Sequence, residues 1–152
     1  MTRSPFSLEG KTAIVTGGGT GIGKSIAIEF ARAGADVALC SRKLEHLEPV
    51  AKEITNLGRR TFAMPVDVRQ EDQVKGIVDR AVSEWGRLDV MVNNAGASFR
   101  AKPEDISING WNTVIQINLN GVFLASDASS WMTGETIVID GGPSPRESDE
   151  AS

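Results

Sequence analysis

The stretch Thr12-Ala-Ile-Val-Thr-Gly-Gly-Gly-Thr-Gly-Ile-Gly23 decides how the rest of the chain is read. Thr12–Val15 has the short apolar character of a buried strand, and Ser25–Ala33 continues a helix that opens at the glycine turn. Between them, Gly17 permits the sharp turn and Gly21 lets backbone approach a pyrophosphate. Gly23 allows close helix–strand packing, while Gly19, Thr20 and Ile22 complete the candidate cradle. The helix N-terminus adds unpaired N–H groups and positive dipole, which favour a bound anion. A glycine loop that merely turns is the plain alternative. The strand–turn–helix context favours dinucleotide binding.

Outward from this turn, Gly34 supplies a helix stop, because a residue without Cβ can close a helix in the left-handed conformation. Val37–Cys40 reads as a second strand, followed by a helix with Leu44, Leu47, Ile54 and Leu57 on one apolar face and Gly58 at its end. Thr61–Val66 is a third strand, Glu71–Trp85 a third helix and Leu88–Val92 a fourth strand. Apolar strands separated by amphipathic helices predict α/β architecture: a Rossmann-like, doubly wound parallel sheet with helices on both faces. Trp111–Leu124 reads as a fourth helix packed through Trp111, Val114, Ile115 and Val122. Thr136–Ile139 reads as a last strand closed by Asp140-Gly-Gly142. Residues 1–142 form the expected domain, and the Pro-, Ser- and acid-rich tail 143–152 is expected to be disordered.

The chain has 152 residues, enough for one domain with a real core. A net charge of −4 offers no basic surface for nucleic acid. No apolar run reaches membrane-spanning length, and the N-terminus lacks the apolar core of a signal peptide. The single cysteine, Cys40, excludes an internal disulfide and fits a reducing compartment, so a cytoplasmic protein is expected. No metal site is expected. There is no tyrosine anywhere.

The end of the second strand chooses between cofactors. An acidic residue there would accept from the ribose 2′-OH of NAD and repel a 2′-phosphate. Ser41-Arg42-Lys43 instead offers a hydroxyl and two cations, with Arg42 able to present a bidentate fork, and this points to NADP(H). Arg42 and Lys43 as a solvated helix start is the alternative. Asn93-Asn-Ala-Gly96 follows the fourth strand, where Ala95 and Gly96 let a nucleotide lie against the strand end. For Asn93, a purely structural tie between strand ends weighs equally. Asp67 and Val68 follow the third strand and could contact an adenine ring, with a simple helix cap at Asp67 as the alternative.

Thr16–Gly23, Asp67-Val68, Asn93–Gly96 and Asn118 within Ile117-Asn-Leu-Asn-Gly121, in that order, resemble the short-chain dehydrogenase/reductase family. Asn109-Gly-Trp111 and Gly96-Ala-Ser-Phe99 look more like its 2,4-dienoyl-CoA and trans-2-enoyl-CoA reductase branch. The resemblance implies NADPH-dependent reduction of a C=O or an enoyl C=C, a small acyl-CoA-type substrate, and Asn118 helping to hold a proton-relay water. It also implies a fifth strand bearing a catalytic Ser, then a helix with Tyr-x-x-x-Lys. Neither follows Leu124. The chain runs instead into Ala125–Gly134, which resembles the family's segment before its last strand, a loss of about a hundred residues judged on length.

Carbonyl reduction needs a hydride and a positioned acid. The family's acid is a tyrosine whose pKa is lowered by a lysine cation, and without tyrosine it cannot exist here. His46 is far in sequence from the nicotinamide end, and Lys52, Lys75 and Lys102 read as surface charge. The remaining strands can close a sheet of about five, ordered 3-2-1-4-7, with the fused fourth helix as crossover. An exposed Trp111, Ile115 or Phe123 would then invite homo- or hetero-oligomers. Three readings follow: a crippled NADP(H)-binding protein, a working enoyl reductase protonated by solvent, and an interaction subunit of full-length relatives.

Overall fold

The computed structural model describes residues 6–99 and 101–122. Strands β1 (Thr12–Thr16), β2 (Asp36–Ser41), β3 (Thr61–Pro65) and β4 (Val90–Val92) alternate with helices α1 (Gly21–Arg32), α2 (Leu44–Asn56) and α3 (Glu71–Trp85). After β4 come a 3-10 turn at Pro103–Asp105 and α4 (Ile108–Ile115), which continues as a π-helical segment over Gln116–Asn120. The strands are parallel in the order β3-β2-β1-β4, with Val15 level with both Leu39 and Val92. This is the expected doubly wound α/β sheet. Residues 123–152, with the expected last strand and tail, lie outside the described residues, so no fifth position in the sheet is described.

Strand alternation sorts the core into two layers. Val15, Val37 and Leu39 pack against Ala27, Ile28 and Ala31 of α1 and Leu47, Val50 and Ile54 of α2. Ile14, Ala38, Cys40 and Phe62 face the other way, onto Val74, Ile77, Val78 and Ala81 of α3 and onto Ile117. Every residue of β1 is buried, which is why its sequence is continuously apolar or β-branched.

Three helix readings are corrected. In α2 the buried residues are Leu47, Val50 and Ile54, whereas Leu44 and Leu57 are exposed. Leu44 is the first residue of the helix and Leu57 its C-cap, so both stand at the ends of the stripe, away from its buried middle. The fourth helix starts at Ile108, not Trp111, because Ser107 caps it, its hydroxyl accepting from the Gly110 N–H at 3.1 Å. Trp111 is 58% exposed, and the buried residue is Ile117. The π-helical segment inserts extra backbone into the turn and rotates the apolar stripe, bringing Ile117 rather than Trp111 to the core.

Candidate nucleotide-binding site

A cleft of about 320 Å³ lies at the C-terminal ends of the strands. Parallel sheets place ligands at such an edge, because connections from neighbouring strands diverge to opposite faces where the strand order reverses, here between β1 and β4, and leave a crevice. Gly17 and Thr20 come from the loop after β1, Ser41 and Arg42 from the end of β2, and Val66, Asp67 and Val68 from the end of β3. Asn94, Ala95 and Gly96 after β4, and Ile117, complete the lining. Eight of the residues singled out in the sequence are thus brought together: Gly17, Thr20, Ser41, Arg42, Asp67, Val68, Ala95 and Gly96.

Gly19, Gly21, Ile22, Gly23, Lys43 and Asn93 stand off the lining. Gly19 is backed by α2, where a Cβ on it would come within 2.9 Å of His46. Gly23 is a packing residue. A Cβ there would stand 2.3 Å from the Gly17 carbonyl oxygen and 2.4 Å from Asn94 Nδ2. That clearance lets α1 sit directly on the end of β1. Gly21 has φ +53° and nothing within 4 Å of its Cβ position, so it presents bare backbone to open space.

Asn94, not Asn93, ties the strand ends. Its Nδ2 donates to the carbonyls of Thr16 at 3.0 Å and Gly17 at 3.4 Å, and its backbone N–H donates to Thr16 Oγ1 at 3.0 Å. The Ala95 N–H reaches the same hydroxyl at 2.9 Å. The doublet Asn93-Asn94 carried this signal, but strand alternation decides which of two neighbours faces β1.

The electrostatics of the rim are uneven. Thr20 precedes α1 without a side-chain capping bond, and the first turn of α1 holds no acidic residue, so its amide end faces the loop uncompensated. Arg42 is exposed and, among the described residues, makes no ion pair or hydrogen bond. Lys43 instead pairs with Glu45 at 3.6 Å. The Ser41 hydroxyl turns back on its own chain, donating to the Lys43 carbonyl at 3.0 Å.

Asp67 does not cap α3, which follows Gln70. Its carboxylate is gripped by Arg69, whose Nε donates to Oδ1 at 2.9 Å and Oδ2 at 3.0 Å, while Nη2 also reaches Oδ2. These hydrogen bonds hold the Asp67 carboxyl below the usual carboxylate range. Partial burial opposes them, and the charge of Arg42 adds to them.

Asn118 and Ile117 enter through the π-helical segment. Ile117, which sequence reasoning left out of the site, is buried and forms part of the cleft wall. Asn118 Oδ1 accepts from the Ala97 N–H at 2.8 Å and its Nδ2 donates to the Ala97 carbonyl at 2.9 Å. Its side chain therefore holds the loop after β4. Gly121 presses on Val68, where a Cβ would stand 2.9 Å from Val68 Cγ2. No described helix is long and apolar enough to cross a membrane.

A sequence profile described as short chain dehydrogenase matches residues 11–136. The chain belongs to the short-chain dehydrogenase family. It is 39% identical over 132 residues to 2-dehydro-3-deoxy-D-gluconate 5-dehydrogenase of Escherichia coli K12, covering 86% of this chain and 51% of that one. It is 38% identical over 124 residues to the peroxisomal 2,4-dienoyl-CoA reductase of Danio rerio, covering 81% and 41%. Among solved structures, a short chain dehydrogenase from Burkholderia cenocepacia J2315 in complex with NADP superposes with a TM-score of 0.79 at 38% identity, covering 84% of this chain and 53% of that one. The chain thus spans about half the length of the relatives it matches.

Proposed function

We propose that this chain binds NADP(H) in the cleft at the strand ends and that its capacity for turnover is impaired. The observation that carries the reading is Arg42, a cation at the end of β2 with no partner among the described residues, standing on the rim of that cleft. A dianionic phosphate at the ribose 2′ position suits such a residue, whose planar fork matches phosphate oxygens. The open amide end of α1 and the bare backbone at Gly21 fit a pyrophosphate. Asp67, Val68, Ala95, Gly96 and Ile117 form the walls against which the nucleotide lies, with Gly17 and Thr20 at its phosphates. Gly23, Gly19 and Asn94 hold those walls in place. Complex formation with NADP in the Burkholderia relative supports the cofactor class.

The bound dinucleotide supplies hydride for reduction of a C=O or an enoyl C=C. This chain's own residues bind and orient it. The chain contains no tyrosine to donate the proton, and the side-chain amide of Asn118 is engaged by Ala97, which leaves only its backbone to hold a water. Binding without ordinary turnover follows from that combination. Association through α4 belongs to the same reading, because Ile108 at 75% exposure and Trp111 at 58% offer apolar surface among the described residues.

Titrating NADPH while following tryptophan fluorescence tests the binding, and saturation is expected. Arg42→Ala is expected to weaken NADPH by roughly tenfold or more while leaving NADH little changed. Absence of saturable NADPH binding ends the reading. NADPH absorbance is expected to stay flat across enoyl-CoA and carbonyl panels, and a steady decline would overturn the impairment.

A further inference from the structure

The rim of the cleft carries a three-charge arrangement that no single residue explains. Arg42 and Asp67 both line the cleft, one cationic and one anionic, at the ends of neighbouring strands. Left alone, this pair would cancel. Asp67 is instead closed off by Arg69, which takes both carboxylate oxygens with Nε at 2.9 and 3.0 Å and adds Nη2 and its own backbone N–H, the last at 3.1 Å from Oδ1. Arg69 itself is off the cleft lining.

We infer that Arg69 is a specificity-determining residue for the 2′-phosphate: by neutralising Asp67, it leaves Arg42 free to pair with a phosphomonoester on the ribose. This inference rests on the NADP(H) reading above and deepens it. The charges Arg42, Asp67 and Arg69 together give the rim a surplus of one positive charge. Removing Arg69 brings that surplus to zero and also frees the Asp67 carboxylate to turn to Arg42, whose field already reaches it. A 2′-phosphate then meets a cation already engaged and a carboxylate that repels it. A ribose bearing a plain 2′-hydroxyl has no such conflict. Arg69 thus acts through Asp67 rather than by touching the ligand.

The test measures NADPH and NADH affinities on the full chain by tryptophan fluorescence at low ionic strength, for the wild type, Arg69→Gln, Arg69→Lys and the double variant Asp67→Asn with Arg69→Gln. Arg69→Gln is expected to weaken NADPH roughly tenfold with little change for NADH. Arg69→Lys, which keeps a cation, is expected to retain the preference. The double variant is expected to regain it, because the carboxylate that needed neutralising is gone. Any contact of Asp67 with the adenine is common to both cofactors and cancels in their ratio. The loss in Arg69→Gln is also expected to shrink at high salt, which a packing defect would not do. Equal weakening of both cofactors, an unchanged ratio, or a double variant as poor as the single one overturns the role of Arg69 while leaving the NADP(H) reading intact. Should Arg69→Gln fail to fold, the double variant and Arg69→Lys still decide, since loss of the NADPH preference in either contradicts the inference. A wild type that binds neither cofactor overturns both.

Discussion

Both arms of the Asn118 side-chain amide are engaged by one residue, Ala97: Oδ1 accepts its N–H at 2.8 Å and Nδ2 donates to its carbonyl at 2.9 Å. The bracket fastens the π-helical segment to the loop after β4 across 21 residues of sequence. It holds Ile117 in the cleft wall and the loop Asn94–Gly96 in place on the other side. Asn118→Ala removes two partly buried hydrogen bonds and leaves a backbone donor and acceptor unmatched, so a loss of about 2 kcal/mol is expected. Urea unfolding reads it directly, and a midpoint equal to that of the wild type would show that the bracket carries no weight.

Two glycines in the first turn of α1 are expected to respond differently to the same substitution. Gly23→Ala forces a methyl into 2.3 Å from the Gly17 carbonyl oxygen, so it is expected to destabilise the fold by at least about 2 kcal/mol. Gly21→Ala meets nothing within 4 Å and pays only for its positive φ, about 1 kcal/mol. On the proposed pyrophosphate position its methyl would face the ligand, so this variant is expected to bind NADPH far more weakly than its stability loss explains. Thermal melting and NADPH titration of the two variants separate these effects.

Acid sensitivity is expected to arise at the opposite edge of the sheet. Burial of the Asp89 carboxyl works against its ionisation, but hydrogen bonds from Arg87, the Thr12 N–H at 2.9 Å and Lys11 at 3.2 Å outweigh it and hold its pKa below the usual range. The native state therefore releases this proton more readily than the unfolded chain, whose Asp titrates near about 3.9. The stability it contributes is fully present above about pH 4 and falls away as pH drops through the lower folded value. Asp89→Asn is expected to be less stable at neutral pH and to show a shallower decline on acidification. Denaturation midpoints between about pH 2 and 7 check this, and parallel curves would contradict it.

Cys40 is fully buried beneath the glycine loop, and burial pushes its thiol up to about 12. It is expected to stay unreactive toward a thiol reagent at pH 8 in the native state and to react promptly in urea. Rapid modification of the folded protein would show that the β2 end opens locally.

Much of the fold was legible in the residues themselves. The alternation of apolar strands with amphipathic helices located α3 at its observed bounds and the first three strands to within a residue at each end. These patterns are readable because burial on a sheet or helix repeats with a fixed period along the chain. The failures cluster where that period is broken or shared. The π-helical segment shifted the stripe of the fourth helix from Trp111 to Ile117. Alternation gave the strand-tying role to Asn94 rather than its neighbour Asn93. Arg69, two positions beyond Asp67, took both carboxylate oxygens with its guanidinium and one with its backbone N–H, where a capping pattern would have assigned them to the first turn of α3.

What the sequence by itself determined is the glycine turn that opens α1, the choice of Arg42 over an acid at the end of β2, and the absence of any tyrosine to serve as an acid. Each is a statement about which groups exist and where they stand along the chain. Only the tertiary structure decided which groups are free to act. Lys43, Ser41 and the Asn118 amide found partners within the fold, whereas Arg42 kept none among the described residues. The physical reason is that hydrogen-bond and charge partners at the strand ends come from loops far apart in sequence, and their pairing is fixed only when the parallel sheet draws those loops together.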